Sequence, residues 1–331
     1  MSALRIVIIS VVIVIVAIVA LYAARRAPDS AISARAGVLK GGTLATNMQK
    51  HAIPLDQILD GGPVKDGIPA LIDPKFTPIA EVNADITDTV GGILVTVGKT
   101  TRFYPYNIMV WHEIVNDTIE GNPLVITFCP LCGSAIVYEA RGEGNPETFG
   151  VSGKLYNSNL LMYDATTESL WSQIEGEAVV GERTGEKLTL YPSQVVSFKT
   201  VREQYPQASV LSSDTGYSRD YSVYPYGDYD TSEALYFPVA ITDTRLPAKE
   251  IMYIVNFNDH SVAFQVKDLK PGVTARVDVA GTPLIAELKD GVIETTPSLP
   301  GYHAMWFAWA VHHQKDGIVW TAAHASASQQ L

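Results

Sequence analysis

Residues 123–139 read PLVITFCPLCGSAIVYE, and this stretch sets the fold class. PLVITF and SAIVYE are rich in β-branched and aromatic side chains, which is a strand signal. The Pro and Gly between them mark a turn. Both cysteines of the chain, Cys129 and Cys132, lie in that turn. A dithiol of the thioredoxin kind sits at a strand-to-helix junction, where the helix dipole stabilises a thiolate. Here the motif joins two strands, so a thioredoxin fold is not expected.

Outward from it the pattern repeats. ILVTV (93–97), MYIVNF (252–257), SVAFQV (261–266) and PLIAEL (283–288) have the same β character, bounded by Gly, Asn and Asp. Helical patterning is scarce, with YNIMVWHEIV (106–115) and MWFAWAVHH (305–313) as the candidates. Shifting the sequence by 160 lays FTPIA (76–80) on YFPVA (236–240), ILVTVGKTTRFYPY on YIVNFNDHSVAFQV, and EGNPLVITF on AGTPLIAEL. The expected architecture is therefore β-rich α+β, built from two related halves, residues 73–200 and 201–331. Cys129 and Cys132 fall opposite Lys289 and Val292, so only the first half carries the site. Residues 27–72, with their Gly-Gly and Gly-Pro turns, read as a tether and lead-in.

The chain has 331 residues, 47% of them apolar and 18% charged, which excludes a disordered or coiled-coil protein. A net charge of −11 argues against a nucleic-acid partner. Two cysteines exclude a disulfide scaffold. From Ile6 to Ala24, nineteen residues carry no charge. A helix of that length spans roughly the hydrocarbon core of a bilayer, so residues 1–26 read as an uncleaved N-terminal transmembrane anchor and the bilayer as its partner. Arg25, Arg26, Arg35 and Lys40 outnumber Arg5, which by the positive-inside rule would keep the bulk cytoplasmic. An ordinary signal-anchor would export it, and the main domain is read as extracytoplasmic.

Three readings of the cysteine pair stay open. The first is a redox dithiol, with Cys129 the more exposed sulfur and Cys132 the resolving thiol. The second is a thiolate metal site, with His112 and Met162 completing the donors and copper or zinc as the metal. The third is a pair of inert buried thiols. In WHEIVND, His112 and Asn116 share a face if the segment is helical, and Glu113 and Asp117 the adjacent one. A base here would activate a thiol; for Glu113, ordinary helix-end capping serves as well. Downstream, Ser152, Lys154, Tyr156, Asn157 and Ser158 suggest a hydrogen-bonding cradle, extended by Asp164, Trp171 and Gln173. The competing account is a β-meander in which Trp fills the core and residues 164–168 form a turn. RDYSVYPYGDYD (219–230) reads as a ligand-stacking loop or a surface cover.

At these residues the chain resembles the family catalogued as domain of unknown function 3179. The resemblance rests on DGIPALIDPKF, YPYNIMVWHEIVNDTIEGNPLVITFCPLCGSAIVYE, FGVSGKLYNSNLLMYDATTESLWSQIEGEAVVG, RDYSVYPYGDY and MWFAWAVHH, covering about residues 66–320. It implies a bacterial or archaeal protein, commonly behind a signal or anchor, whose activity is not established. It also implies selenoproteins among the relatives, which favours a redox-active or metal-ligating pair over inert cysteines. AVHHQKDG, where relatives more often read Phe-His-Pro, speaks against a role for His312, and Tyr106 stands where Leu is common. The resulting expectation is a Cys129/Cys132 centre with an unidentified redox partner or ligand. The alternative is a non-catalytic binding module or envelope component whose cradle holds a small ligand or peptide.

Overall fold

The computed structural model describes residues 44–82, 86–141 and 146–323. The expected anchor at residues 6–24 lies outside them, and no helix among the described residues is long and apolar enough to cross a membrane. In chain order the elements are β1 (Ile58–Asp60), β2 (Leu71–Ile72), β3 (Phe76–Pro78), β4 (Gly91–Val97), β5 (Thr100–Pro105), helix α1 (Tyr106–His112), β6 (Ile114–Ile119), β7 (Asn122–Cys129) and β8 (Ser134–Glu139). Next come β9 (Phe149–Tyr156), β10 (Asn159–Asp164), β11 (Leu170–Ser172), β12 (Glu177–Val180), β13 (Gln194–Ser197), α2 (Phe198–Gln204) and β14 (Ser209–Leu211). After a long irregular segment follow β15 (Ile251–Phe257), β16 (His260–Gln265), β17 (Thr274–Val279), β18 (Thr282–Lys289), β19 (Val292–Thr296), β20 (Gly301–Met305), α3 (Trp306–His313) and β21 (Ile318–Trp320). The β-rich expectation holds, with few and short helices.

The central sheet has eight strands in the order β2-β6-β7-β8-β20-β15-β16-β21. Five-stranded sheets β1-β9-β10-β11-β12 and β13-β4-β5-β14-β3, and a three-stranded sheet β17-β18-β19, complete the fold. Strand β7 explains why PLVITF is apolar without alternation. Leu124, Ile126 and Phe128 enter a core shared with β4, β5 and α1, whereas Val125 and Cys129 enter a second core shared with β9, β10 and α3. A strand buried on both faces reads as a continuous apolar run, and the period of two places both Cys129 and Thr127 on the second face.

The 160-residue offset reappears in element boundaries and pairing. Val95↔Arg102 in β4/β5 matches Val255↔Val262 in β15/β16, and Ile114↔Thr127 matches Thr274↔Glu287. The turns agree too: Glu120-Gly121 and Ala280-Gly281 are all left-handed. The match does not extend to residues 236–240, which lie in the irregular segment whereas Phe76–Pro78 is strand. It also breaks at the motif. Cys129 pairs with Ser134 across four residues, but Lys289 pairs with Val292 across the two-residue Asp290-Gly291 turn. The CPLC loop is thus two residues longer than its counterpart.

One sequence expectation is corrected. The segment 106–115 does not stay helical: α1 ends at His112, and Asn116 and Asp117 are strand residues of β6. His112 and Asn116 therefore do not share a helix face. Part of the lead-in is also ordered into sheets, with β1 paired to β9 and β2 to β6.

Candidate functional site

The CPLC turn is closed by the Cys132 amide donating to the Cys129 carbonyl at 3.1 Å. Gly133 leaves it at φ +56°, a left-handed conformation that a side chain would strain. The Met305 amide donates to the Cys132 carbonyl at 2.7 Å, pinning the turn to the end of β20. Both cysteines are free thiols and both are buried, Cys129 1% and Cys132 0% exposed. Neither is the exposed sulfur that the motif suggested.

Cys132 is held as a thiol. Its Sγ donates to the Ser158 carbonyl at 3.1 Å and accepts from Asn159 Nδ2 at 3.5 Å. Burial, then the neighbouring Cys129 thiol, push its pKa well above the ordinary cysteine value, and the negative charge of Glu113 adds to the push. Behind it, Asn159 Nδ2 and Ser134 Oγ both donate to Gln173 Oε1, at 2.8 and 2.7 Å. Gln173 Nε2 donates to Thr127 Oγ1 at 2.8 Å. This buried network satisfies both ends of the Gln173 amide, as low-dielectric burial requires.

Glu113 lines the same cavity as Leu131 of the motif, and its charge reaches Cys132. It closes α1 with φ +58°, a conformation uncommon for a residue with a Cβ, its amide donating to the Met109 carbonyl and its own carbonyl accepting from Phe128. Glu113 is 5% exposed, and burial raises its pKa to about 7 although the Tyr226 hydroxyl, donating to Oε1 at 2.5 Å, pulls the other way. Burial, then the charge of Glu113, raise the Tyr226 hydroxyl well above the ordinary tyrosine value. The sequence allows Glu113 as a base or a helix cap; it is both a helix terminus and a buried acid whose charge reaches Cys132.

His112 turns elsewhere. Its Nδ1 lies 2.8 Å from the Pro69 carbonyl and its Nε2 2.8 Å from the Tyr221 hydroxyl, so both ring nitrogens have partners and burial lowers its pKa. Met162 shares the buried cluster of the two cysteines. Among the described residues no group of three or more His, Cys, Asp or Glu side chains is arranged to hold a metal ion.

A strap formed by residues 212–250, without helix or strand, lies over this region. Three of its tyrosines anchor it: Tyr221 to His112, Tyr226 to Glu113, and Tyr229, whose hydroxyl donates to the Leu131 carbonyl at 2.7 Å inside the motif itself. Trp111 Nε1 adds a bond to the Val223 carbonyl at 3.1 Å. The sequence marks only residues 219–230 of the strap, as an aromatic-acidic loop. The signal was the tyrosine run itself, whose hydroxyls find the WHE and CPLC segments about a hundred residues earlier.

Most of the expected cradle serves the fold. Asn157 and Ser158, both left-handed, form the two-residue turn of the β9/β10 hairpin. Asn157 Oδ1 accepts the Ala240 amide of the strap at 2.9 Å. Ser152 Oγ donates to the Leu161 carbonyl, and Asn116 bridges β6 to β9 through Phe149. Asp117 takes the Tyr104 hydroxyl and Arg102. Asp164 caps the turn at Thr167 and receives Trp171 Nε1 at 2.9 Å, which is the meander reading. Tyr156 is half-buried with its ring 6.5 Å from that of His312.

Beside Glu113 opens a cavity of about 450 Å³, whose walls include Trp111, Leu131, Leu155, Tyr226 and Phe237 and, of the expected cradle, Lys154. Gly153 shapes this wall. At φ +75°, its added Cβ would stand 2.1 Å from the Pro63 carbonyl oxygen. Comparison with curated proteins and with solved structures returns no match. The family model for the protein of unknown function DUF3179 matches residues 65–298, about seven-tenths of the sequence, and the chain belongs to that family.

Proposed function

We propose that Cys129 and Cys132 form a dithiol–disulfide redox centre in which Glu113 is the proton acceptor. The observation that carries this reading is the placement of Glu113, a buried carboxyl in a strained backbone position whose charge reaches Cys132 of the adjacent thiol pair. An acid serves proton transfer best when its pKa lies near the working pH, and burial brings Glu113 there. The co-reactant is a small disulfide R–S–S–R. The ionised Glu113 takes the Cys129 proton and the thiolate attacks one sulfur, breaking the S–S bond and releasing RS⁻. Cys132 then loses its proton and attacks Cys129 Sγ, closing the Cys129–Cys132 disulfide and releasing the second RS⁻. Two electrons pass to R–S–S–R, and the two protons end on the released thiols. Cys132, held as a thiol by Ser158, suits the resolving role. Such chemistry fits an oxidising compartment, in keeping with an extracytoplasmic domain tethered through residues 6–24. The related-halves reading fits as well, the half without the longer loop serving as scaffold.

The test is to equilibrate the folded protein in graded mixtures of reduced and oxidised glutathione, trap free thiols by alkylation, and weigh the product. A redox pair loses both alkylation sites together at one potential, and Glu113→Gln slows the exchange most below neutral pH. Thiols that stay reduced in every mixture until the chain unfolds would overturn the reading in favour of structural cysteines.

A further inference from the structure

The cavity beside Glu113 carries a second inference, which does not depend on the thiols. Its walls are mainly apolar, from Ile68, Trp111, Leu155 and Phe237, yet two cations take part in them. Lys154 has a side chain only 6% exposed and a single ion-pair partner, the largely exposed Asp60 at 3.2 Å. Arg219 stands on the strap, its guanidinium 5.6 Å from the Trp111 ring, and forms no ion pair among the described residues. A buried ammonium with one exposed partner has donors left over, and an Arg on a Trp face is oriented for planar recognition of a carboxylate. The one acid in the wall, Glu113, is tied to Tyr226.

The chain as a whole is acidic, at −11, so a cationic patch at a cavity is a local reversal of its field. The volume, about 450 Å³, lies in the range of small-molecule sites and is too small for a folded partner. We propose that this cavity binds a small organic anion, a monocarboxylate with an aromatic or branched apolar body, its carboxylate facing Arg219 and Lys154 and its body against Trp111, Leu155 and Phe237. Apolar walls favour the body, and the two cations decide which end of the ligand lies where. The neutral counterpart of such a molecule keeps the apolar contacts and loses the charge-assisted bonds.

The test uses 1-naphthaleneacetate and its primary amide as probes, titrated at pH 6 into the protein while Trp fluorescence is followed. The carboxylate is expected to bind at least tenfold more tightly than the amide. Arg219→Gln, at an exposed position that cannot disturb the core, is expected to remove most of that difference. Leu155→Trp fills the cavity and is expected to abolish binding of both probes. Equal affinity for acid and amide, a difference that survives Arg219→Gln, or no binding of either probe would each overturn the proposal. None of these outcomes depends on whether the cysteines exchange.

Discussion

The Tyr226 hydroxyl donates to Glu113 Oε1 at 2.5 Å, joining the middle of the strap to the residue that ends α1, 113 positions earlier in the chain. Both groups are costly to bury alone, and each is the other's partner. The strap therefore does not merely cover the motif. Its position is coupled to the protonation state of the acid beneath it.

That coupling predicts a pH-dependent stability. Glu113 rises from an ordinary 4.5 to about 7 in the folded protein, so between these values the native state binds more protons than the unfolded chain. The stabilisation is fully present below pH 4.5 and is lost as pH rises through 7, by about 3 kcal/mol. Glu113→Gln, neutral throughout, is expected to remove this loss. Urea unfolding of both proteins at pH 5 and pH 8 checks it, and identical pH slopes would refute it.

Tyr226→Phe removes the donor and leaves the carboxyl alone. The cost is expected to be about 1–3 kcal/mol, larger at pH 8, where the unpaired carboxylate is charged, than at pH 5. Because the strap has no helix or strand of its own, the loss should concentrate there. Hydrogen exchange is expected to quicken over residues 212–250 while β7 and β8 keep their protection. Uniform quickening across the chain would mean that the strap is not a separate unit.

Much of this could be read from the residues. PLVITF and SAIVYE marked the strands that flank the motif because β-branched side chains report local geometry. The offset of 160 was visible because hairpin turns need left-handed backbone, which keeps Gly121 and Gly281 in place. What could not be read has a common physical cause. The end of α1 at Glu113 carries no glycine to announce its positive φ, so WHEIV read as continuous helix. The strap has no hydrophobic period, and its anchors at His112, Glu113 and Leu131 are contacts of long sequence separation. Ser152, Asn157 and Gln173 looked like ligand groups because buried polar networks and binding sites use the same side chains.

Gln173 provides the third prediction. Its amide serves Ser134, Asn159 and Thr127 together. Gln173→Leu keeps the volume but leaves the buried Ser134 hydroxyl without its partner and takes one bond each from Thr127 Oγ1 and Asn159 Nδ2, so Asn159 loses one of the neighbours that orient it toward Cys132. A loss of about 3 kcal/mol or more is expected from urea unfolding, well above an ordinary core substitution. The Cys132 thiol should also alkylate faster in the native state. A variant as stable as the parent would show that the network relaxes without cost.

Histidines set the acid side of the stability profile. His303, buried in β20 with its ring 5.3 Å from Tyr253, has its pKa lowered to about 4 by burial, and burial lowers His312 to about 4 as well. The unfolded chain protonates these side chains near 6.5, so between 6.5 and 4 it binds more protons than the native state. Stability is then lost as pH falls through that window, by about 3 kcal/mol for each histidine. Glu113 acts in the opposite sense over nearly the same range, and with a similar magnitude. The histidines whose pKa is lowered by burial, His112, His303, His312 and His313, outnumber the raised acids Glu113 and Glu175, which leaves the protein less stable at pH 4.5 than at pH 6.5. His303→Phe, which keeps a ring against Tyr253, is expected to make the profile shallower there, while Glu113→Gln steepens it. Denaturation midpoints every half pH unit separate the two, and a histidine variant with an unchanged acid limb would assign that limb to other groups.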